Sequence, residues 1–426
     1  MPGGTARARV LVDARPLRVA AYRRLWLASA VTVVFGQFNL VTVPVQLFGL
    51  TGTSATVGLA GLVTLGALAV SALWGGAVAD VVDRRAMLHV TSLGIVTVAV
   101  LLWLQARLDA NSVPLLLVLV AGHAALVGAN ATALGAAIPR VVPPDLIPAA
   151  SSLGTLVRQV GAIVGPLLAG ALLPVVGLRG LYLCDAVALC ALVWAVRRLP
   201  PMPPAPGAAR RVDVVSGFRY VARERVLVAV LAADLAMSVL GLPYALYPQV
   251  AQQTFGDPPG GGAALGLLYA AVPTGVLAGA LVSGAFTRAR RPGRMITLAV
   301  VAWGLAVVGF GLTRTLWLGV VLLVVGGGAI VVHSSFRNAI TQTYVPDGLR
   351  GRTQGALTVV LMGGPALANA VHGAAGAWAG PTWAISGGGA LAVIAMLAVA
   401  RSVPVFWEYG LDSRPGVIDY RYIDSQ

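Results

Sequence analysis

Apolar stretches long enough to cross a lipid bilayer recur along the whole chain, and most of the charges collect in the short gaps between them. About 20 apolar residues cross the hydrocarbon core as a helix, and helix is required because lipid cannot satisfy an open backbone. Twelve such stretches are expected, at 25–50, 55–79, 86–107, 113–139, 149–174, 180–199, 226–253, 263–287, 294–313, 315–342, 352–378 and 381–406, each bounded by charges, Pro or Gly. The expected fold class is therefore an all-α integral membrane protein. Charged residues are 11% of the chain, whereas a soluble domain carries about 25% and needs that polar surface to cover its core.

The net charge of +15 fits cytoplasmic loops facing anionic headgroups, with no nucleic-acid partner. All 30 basic residues are Arg. The absence of Lys excludes a P-loop lysine, hence an ATP-driven pump in one chain, and a Schiff-base lysine. Cys184 and Cys190 share one apolar stretch and point to different sides of a helix, which reads as core and not as a disulfide framework. The four His are scattered, so no metal site and no cofactor is expected. Neither GxSxG nor HExxH occurs, and the chain does not read as an enzyme. The basic start, MPGGTARARVLVDARPLRVAAYRR, leads into an apolar stretch of full spanning length, so it reads as an arm before the first span and not as a signal peptide.

The largest break is the Pro-rich, then basic, run from Arg197 to Arg225. Six stretches precede it and six follow. The expected layout is an N-terminal arm (1–24), a first bundle (25–199), a linker (200–225), a second bundle (226–406) and a polar tail (407–426) that is disordered or lies on the surface. The second part of the linker is weakly amphipathic and is expected to lie along the membrane as a helix. With both termini cytoplasmic, only Arg107, Arg179 and Arg314 fall on the opposite side and Arg158 inside a span; every other Arg of the 30 is at a cytoplasmic position. One missed helix would invert the later loops, so this asymmetry supports twelve spans. The expected location is a bacterial-type cell membrane.

Polar residues inside a span are expensive and are functional candidates by default. The first span holds Gln37, Asn39 and Gln46; the fourth holds His123, Asn130 and Thr132; the tenth holds His333, Arg337 and Asn338. Amides and lone His residues also serve simply to hold neighbouring helices together. Arg158 and Asp234 differ, since each lies about nine residues, roughly 14 Å, into its span. A charge at that depth needs a partner or a wet cavity. Asp234 is followed by Met237, Pro243, Tyr244, Tyr247 and Pro248, and it is the best-placed carboxylate for proton coupling. Asp185 reads as nearer a surface, and Arg337 as a side chain snorkelling to the cytoplasmic end. Gly161, Gly165 and Ala169 fall four apart in GAIVGPLLAG, a spacing that permits close helix contact, and Pro166 can bend the helix.

The gap GGAVADVVDRRAML, from Gly75 to Leu88, carries a more specific pattern. It resembles the signature between the second and third helices of the major facilitator superfamily. Gly76, Asp80, Arg84 and Arg85 match in register, while Val81 replaces a basic residue and Asp83 replaces the second Gly. In the fifth span Gly161, Gly165, Pro166 and Gly170 match the motif typical of antiporter members, with Ala169 and Ser152 at usual Gly positions. The Arg of the fourth-helix motif is missing; His123 and Ala124 stand in its neighbourhood. The stretches VPVQLFGLTGTSATVGLAG, ALYPQVA, GLLYAAVPTG, ARRPGRM and QTYVPDGLRGRTQG resemble, in order, the branch of siderophore (enterobactin) exporters.

The resemblance implies two pseudo-symmetric six-helix bundles built from inverted repeats, a central cavity at mid-bilayer and alternating access. The function it implies is proton-coupled efflux of a siderophore, drug or secondary metabolite by a monomer. The alternatives are a proton-coupled importer of a small metabolite and a non-transporting membrane sensor. Asp80 is expected to stabilise the outward-facing state through a charged contact. Arg158 would supply counter-charge to a large anionic catecholate substrate, and Tyr244 and Tyr247 stacking area. Asp83 has no role in the family pattern.

Overall fold

The computed structural model describes residues 13–203, 214–286 and 289–409. Among them every regular element is helical. The chain runs α1 (Ala20–Thr51), α2 (Ser54–Val81), α3 (Arg84–Arg107), α4 (Val113–Val141) and α5 (Ile147–Arg197), then α6 (Val214–Arg223), α7 (Arg225–Leu235) and α8 (Tyr247–Gln253). It continues through α9 (Ala263–Leu281), α10 (Pro292–Leu312), α11 (Leu316–Tyr344), α12 (Asp347–Ala379), α13 (Pro381–Ser402) and α14 (Pro404–Glu408).

The starts follow ordinary capping chemistry. The Asp83 carboxylate accepts from the Ala86 amide at the head of α3, and the Ser112 hydroxyl accepts from Leu115 at the head of α4. α5 is hydrogen-bonded as one run, yet Gly177 inside it has φ 65° and ψ 179°. Only glycine takes that conformation without strain, so the helix breaks there.

Among the described residues, ten helices are long and apolar enough to cross a membrane. One of them, Pro144–Arg197, has 54 residues, about 80 Å at 1.5 Å per residue and more than twice the hydrocarbon thickness. α12, with 33 residues, is long enough but outside the ten. The helices accommodate twelve spans without fixing that number. Their outer faces suit lipid: Trp378 is 91% exposed and Leu281 80%, an apolar surface that water would penalise.

Contacts divide the chain into two compact units, one holding described residues 13–42 and 66–203, the other 43–65 and 214–409. In the first, Leu25, Met87, Leu88, Ala133, Leu192 and Val196 share one buried cluster. Ile95 and Ala99 of α3 pack on Ala186 and Leu189 of α5 in another. Tyr22 donates to Ala150 O across 2.9 Å. In the second, α10 and α13 approach so closely that a β-carbon at Gly304 would lie 2.8 Å from Gly389 O. Between helices in lipid such close contact supplies attraction that water exclusion cannot.

The linker helix α6 packs against α12 and α7. Its neighbour Glu224 accepts from the Tyr344 hydroxyl at 2.7 Å. At the end of the last span Phe406 is fully buried, and the Arg294 guanidinium sits 5.1 Å from the ring of Trp407, the next residue. Cys190 is exposed, not core, and Cys184 is half-buried; both are free thiols.

Candidate functional site

The seventh apolar stretch is not one helix. α7 ends at Leu235, a π-helical turn follows over Ala236–Leu240, and a 3-10 turn over Tyr244–Leu246 leads into α8. Pro243 and Pro248 lack the amide that a continuous helix needs. Gly241 faces the Trp303 indole with no room for a side chain. The carbonyls around the break are taken up by side chains. Ser238 donates to Asp234 O at 2.6 Å, Trp303 Nε1 donates to Met237 O at 3.2 Å, and His372 Nε2 lies 3.0 Å from Leu240 O. A π turn inside a helix is a frequent mark of a functional site.

Asp234 sits two residues before that turn and is 3% exposed. Its Oδ1 lies 3.2 Å from Arg337 Nη1 and 3.4 Å from His333 Nε2, both on α11. His333 and Arg337 are four residues apart, so they share one helix face. Arg337 is 9% exposed and also donates through Nη2 to Asn338 Oδ1 at 3.1 Å. It therefore does not snorkel; its charge is spent on a buried carboxylate. The second oxygen, Asp234 Oδ2, is buried without a hydrogen-bond partner. The cluster has one anion, one cation, a neutralisable imidazole and one open acceptor. Such a group can take up a proton or a donor hydroxyl at Oδ2. Removing one partner of a buried pair costs about 3–5 kcal/mol.

Tyr244 and Tyr247 come together, with ring centroids 5.3 Å apart, but Tyr247 also packs on Tyr269 at 5.0 Å and Phe310 at 5.9 Å. Tyr247 is fully enclosed, so only the half-buried Tyr244 has ring area to offer. A cleft of about 420 Å³ in the same unit is lined by Phe48, Gly52, Pro248, Gln252 and Gln253 and does not include the charged cluster.

The first unit distributes its candidates differently. Asn39 Nδ2 donates to Asp185 Oδ2 at 2.6 Å, and Asp185 is 1% exposed, far more buried than a surface position. Asn130 donates to Thr91 and Ser92, at 2.8 and 3.1 Å, tying α4 to α3. His123 is half-buried on α4. Arg158 is exposed, with Nη2 donating to Thr155 at 2.9 Å. The helix-5 motif lies on α1: a β-carbon at Gly165 would stand 2.6 Å from Val34 O and 2.5 Å from Gln37 Cβ, and one at Gly161 2.5 Å from Val33 Cγ1. Pro166 and Gly170 are buried beside them.

Gly76 and Asp80 lie on α2, and their side chains are outside the described residues. Asp83 acquires a clear role. Besides capping α3, its Oδ2 accepts from the Met202 amide at 2.8 Å, and the Arg84 amide donates to Met202 O at 3.1 Å. Arg85 Nη2 donates to Arg197 O and Arg140 Nη1 to Pro203 O, both at 2.8 Å. The residue that replaces glycine thus anchors the start of the central linker to the loop between α2 and α3.

Sequence reasoning missed Arg337 as the partner of Asp234, and it missed His372 and Trp303 altogether. The available signal was the His333/Arg337 spacing within one apolar stretch.

A family model described as transmembrane secretion effector matches residues 13–415. Among similar proteins, the enterobactin exporter EntS of Shigella boydii serotype 18 is 29% identical over 373 residues, covering 87% of this chain and 88% of that protein. EntS of Escherichia coli O139:H28 is 28% identical over the same length and shares. Among solved structures, the nucleoside transporter NupG superposes with a TM-score of 0.71 at 14% identity, covering 91% of this chain and 99% of that one. A bacterial homologue of the iron transporter ferroportin, inward-facing, gives 0.68 at 16% identity, covering 92% and 99%.

Proposed function

The chain belongs to the transmembrane secretion effector family, within the major facilitator superfamily of multi-pass membrane transporters, and on that footing we propose that it is a proton-coupled efflux antiporter with Asp234 as the coupling carboxylate. The observation that carries this reading is the buried Asp234 shared by Arg337 and His333, with Oδ2 open, beside a broken helix. Ionisable residues inside a membrane mark ion or substrate pathways. Oδ2 accepts either a proton or a hydroxyl of the substrate, and the two exclude each other; that exclusion is antiport. Loss of the carboxylate charge also weakens the hold on Arg337, so protonation changes the balance between two arrangements of α7 and α11. The π turn and Pro243 give α7 a place to move.

The halves are residues 25–199 and 226–406, joined by a cytoplasmic linker, with both termini cytoplasmic in a bacterial cell membrane and the chain acting as a monomer. The Arg distribution supports that orientation. The exported class is a siderophore or related hydroxyl-rich secondary metabolite, supported by the similarity to enterobactin exporters. Arg158 supplies counter-charge where such a substrate is anionic, and Tyr244 ring area. Asp80 stabilises the outward-facing state.

Everted membrane vesicles carrying the protein test the reading. They are expected to accumulate labelled siderophore when the lumen is made acid, and to lose the accumulation when the gradient is collapsed. Accumulation confined to right-side-out vesicles would instead make the protein an importer.

A further inference from the structure

The Asp185–Asn39 pair holds a second buried carboxylate, and its chemistry differs from that of Asp234. Asp185 lies in the later half of α5 and Asn39 in α1, both in the first unit. One bond joins them, Asn39 Nδ2 to Asp185 Oδ2 at 2.6 Å. The other two oxygens, Asp185 Oδ1 and Asn39 Oδ1, are both buried and both without a partner. Each is an acceptor, so an ionised carboxylate leaves two buried acceptors and no donor between them.

Among the described residues no ion pair relieves the charge on Asp185. The titratable group beside it on its own helix is the fully buried Tyr182 phenol, whose hydroxyl meets Thr42 of α1. α3, whose Ile95 and Ala99 pack on Ala186 and Leu189 of the same half of α5, carries the buried, uncharged Gln105. The nearest charge along the chain, Arg179, pairs with Asp109 at an exposed end. An ionised carboxylate without a counter-charge is among the costliest groups to hold inside a membrane protein.

A proton resolves the deficit. An acid and an amide that share one N–H···O bond close a ring when the acid's other oxygen carries a hydrogen and donates it to the amide oxygen. We infer that Asp185 and Asn39 form a second proton-binding site, in the first unit, with the proton on Asp185 Oδ1 and Asn39 Oδ1 as its acceptor. The site stands apart from the Asp234 cluster and does not depend on the assignment of Asp234 as the coupling group. In a transporter it provides a proton store that is emptied when α1 and this half of α5 separate and water reaches the carboxyl.

The test is pH-difference infrared spectroscopy of the purified full-length protein in nanodiscs, with Asp185→Asn and Asp234→Asn variants. The expected result is a carboxylic-acid C=O band absent from Asp185→Asn and retained in Asp234→Asn, shifting in Asn39→Ala as its acceptor is removed. Asp185→Asn is expected to keep the wild-type melting temperature, because its amide offers the same donor to Asn39 as the protonated acid. A spectrum of Asp185→Asn identical to wild type would overturn the inference, and so would a large drop in melting temperature of the kind that follows loss of a buried charge.

Discussion

Asp234 and Arg337 are coupled through one 3.2 Å contact. Asp234→Asn leaves Arg337 buried and uncompensated, so it is expected to lose about 3–5 kcal/mol of stability. Asp234→Asn combined with Arg337→Gln removes both charges and should recover most of that loss while leaving transport abolished. Thermal unfolding of the four proteins in detergent closes this cycle; a loss in the double variant equal to the sum of the two single losses would mean that the two residues do not act as a pair. Asp83 gives a second residue-scale prediction. Asp83→Ala removes a helix cap worth about 1 kcal/mol and the acceptor for Met202 N. A spin label at Pro201→Cys, in a background lacking Cys184 and Cys190, should gain mobility in that variant; an unchanged spectrum would assign the linker's anchorage to Arg85 and Arg140 alone. At this scale the sequence disclosed the costly groups but not their partners. Asp234 stands out because an apolar stretch contains it. Arg337 is 103 positions away, and only the tertiary fold brings its long side chain from α11 to the carboxylate on α7. Asp185 sits near the end of an apolar stretch, which suggested exposure; its burial comes from α1, which no local pattern reveals.

At the scale of elements, the helix-5 motif acts by removing bulk where α5 crosses α1. Gly165→Val would drive side-chain atoms into Val34 O and Gln37, an overpacking that costs about 1–3 kcal/mol or more when backbone must shift. Gly154→Ala is the control on the same helix, since a β-carbon there meets only Arg158 Nη1 at 3.6 Å. Folded yield and melting temperature should fall for the first and stay level for the second. Equal behaviour would mean that α1 and α5 are free to separate at this point. The positions of the long helices were legible because hydropathy and charge alone set them. The break in the seventh stretch was only hinted at by Pro243 and Pro248. That the break includes a π turn depends on Trp303 donating to Met237 O and on His372 hydrogen-bonding Leu240 O, a tertiary effect. The linker helix was legible as amphipathic, but its partner α12 was not.

At the scale of the whole molecule, family membership and fold were readable early, because an apolar chain with arginine-bearing gaps admits few architectures and the Gly76–Arg85 pattern narrows them further. What the sequence left open is which buried carboxylate moves with the substrate. Proton coupling at Asp234 is most directly measured by substrate-induced proton movement in proteoliposomes carrying an internal pH dye. Addition of siderophore to the wild-type protein should produce a proton flux opposite in direction to the substrate. Asp234→Asn should still bind the siderophore but produce no flux, while Asp234→Glu should restore part of it. A wild-type proton signal from Asp234→Asn would contradict the assignment.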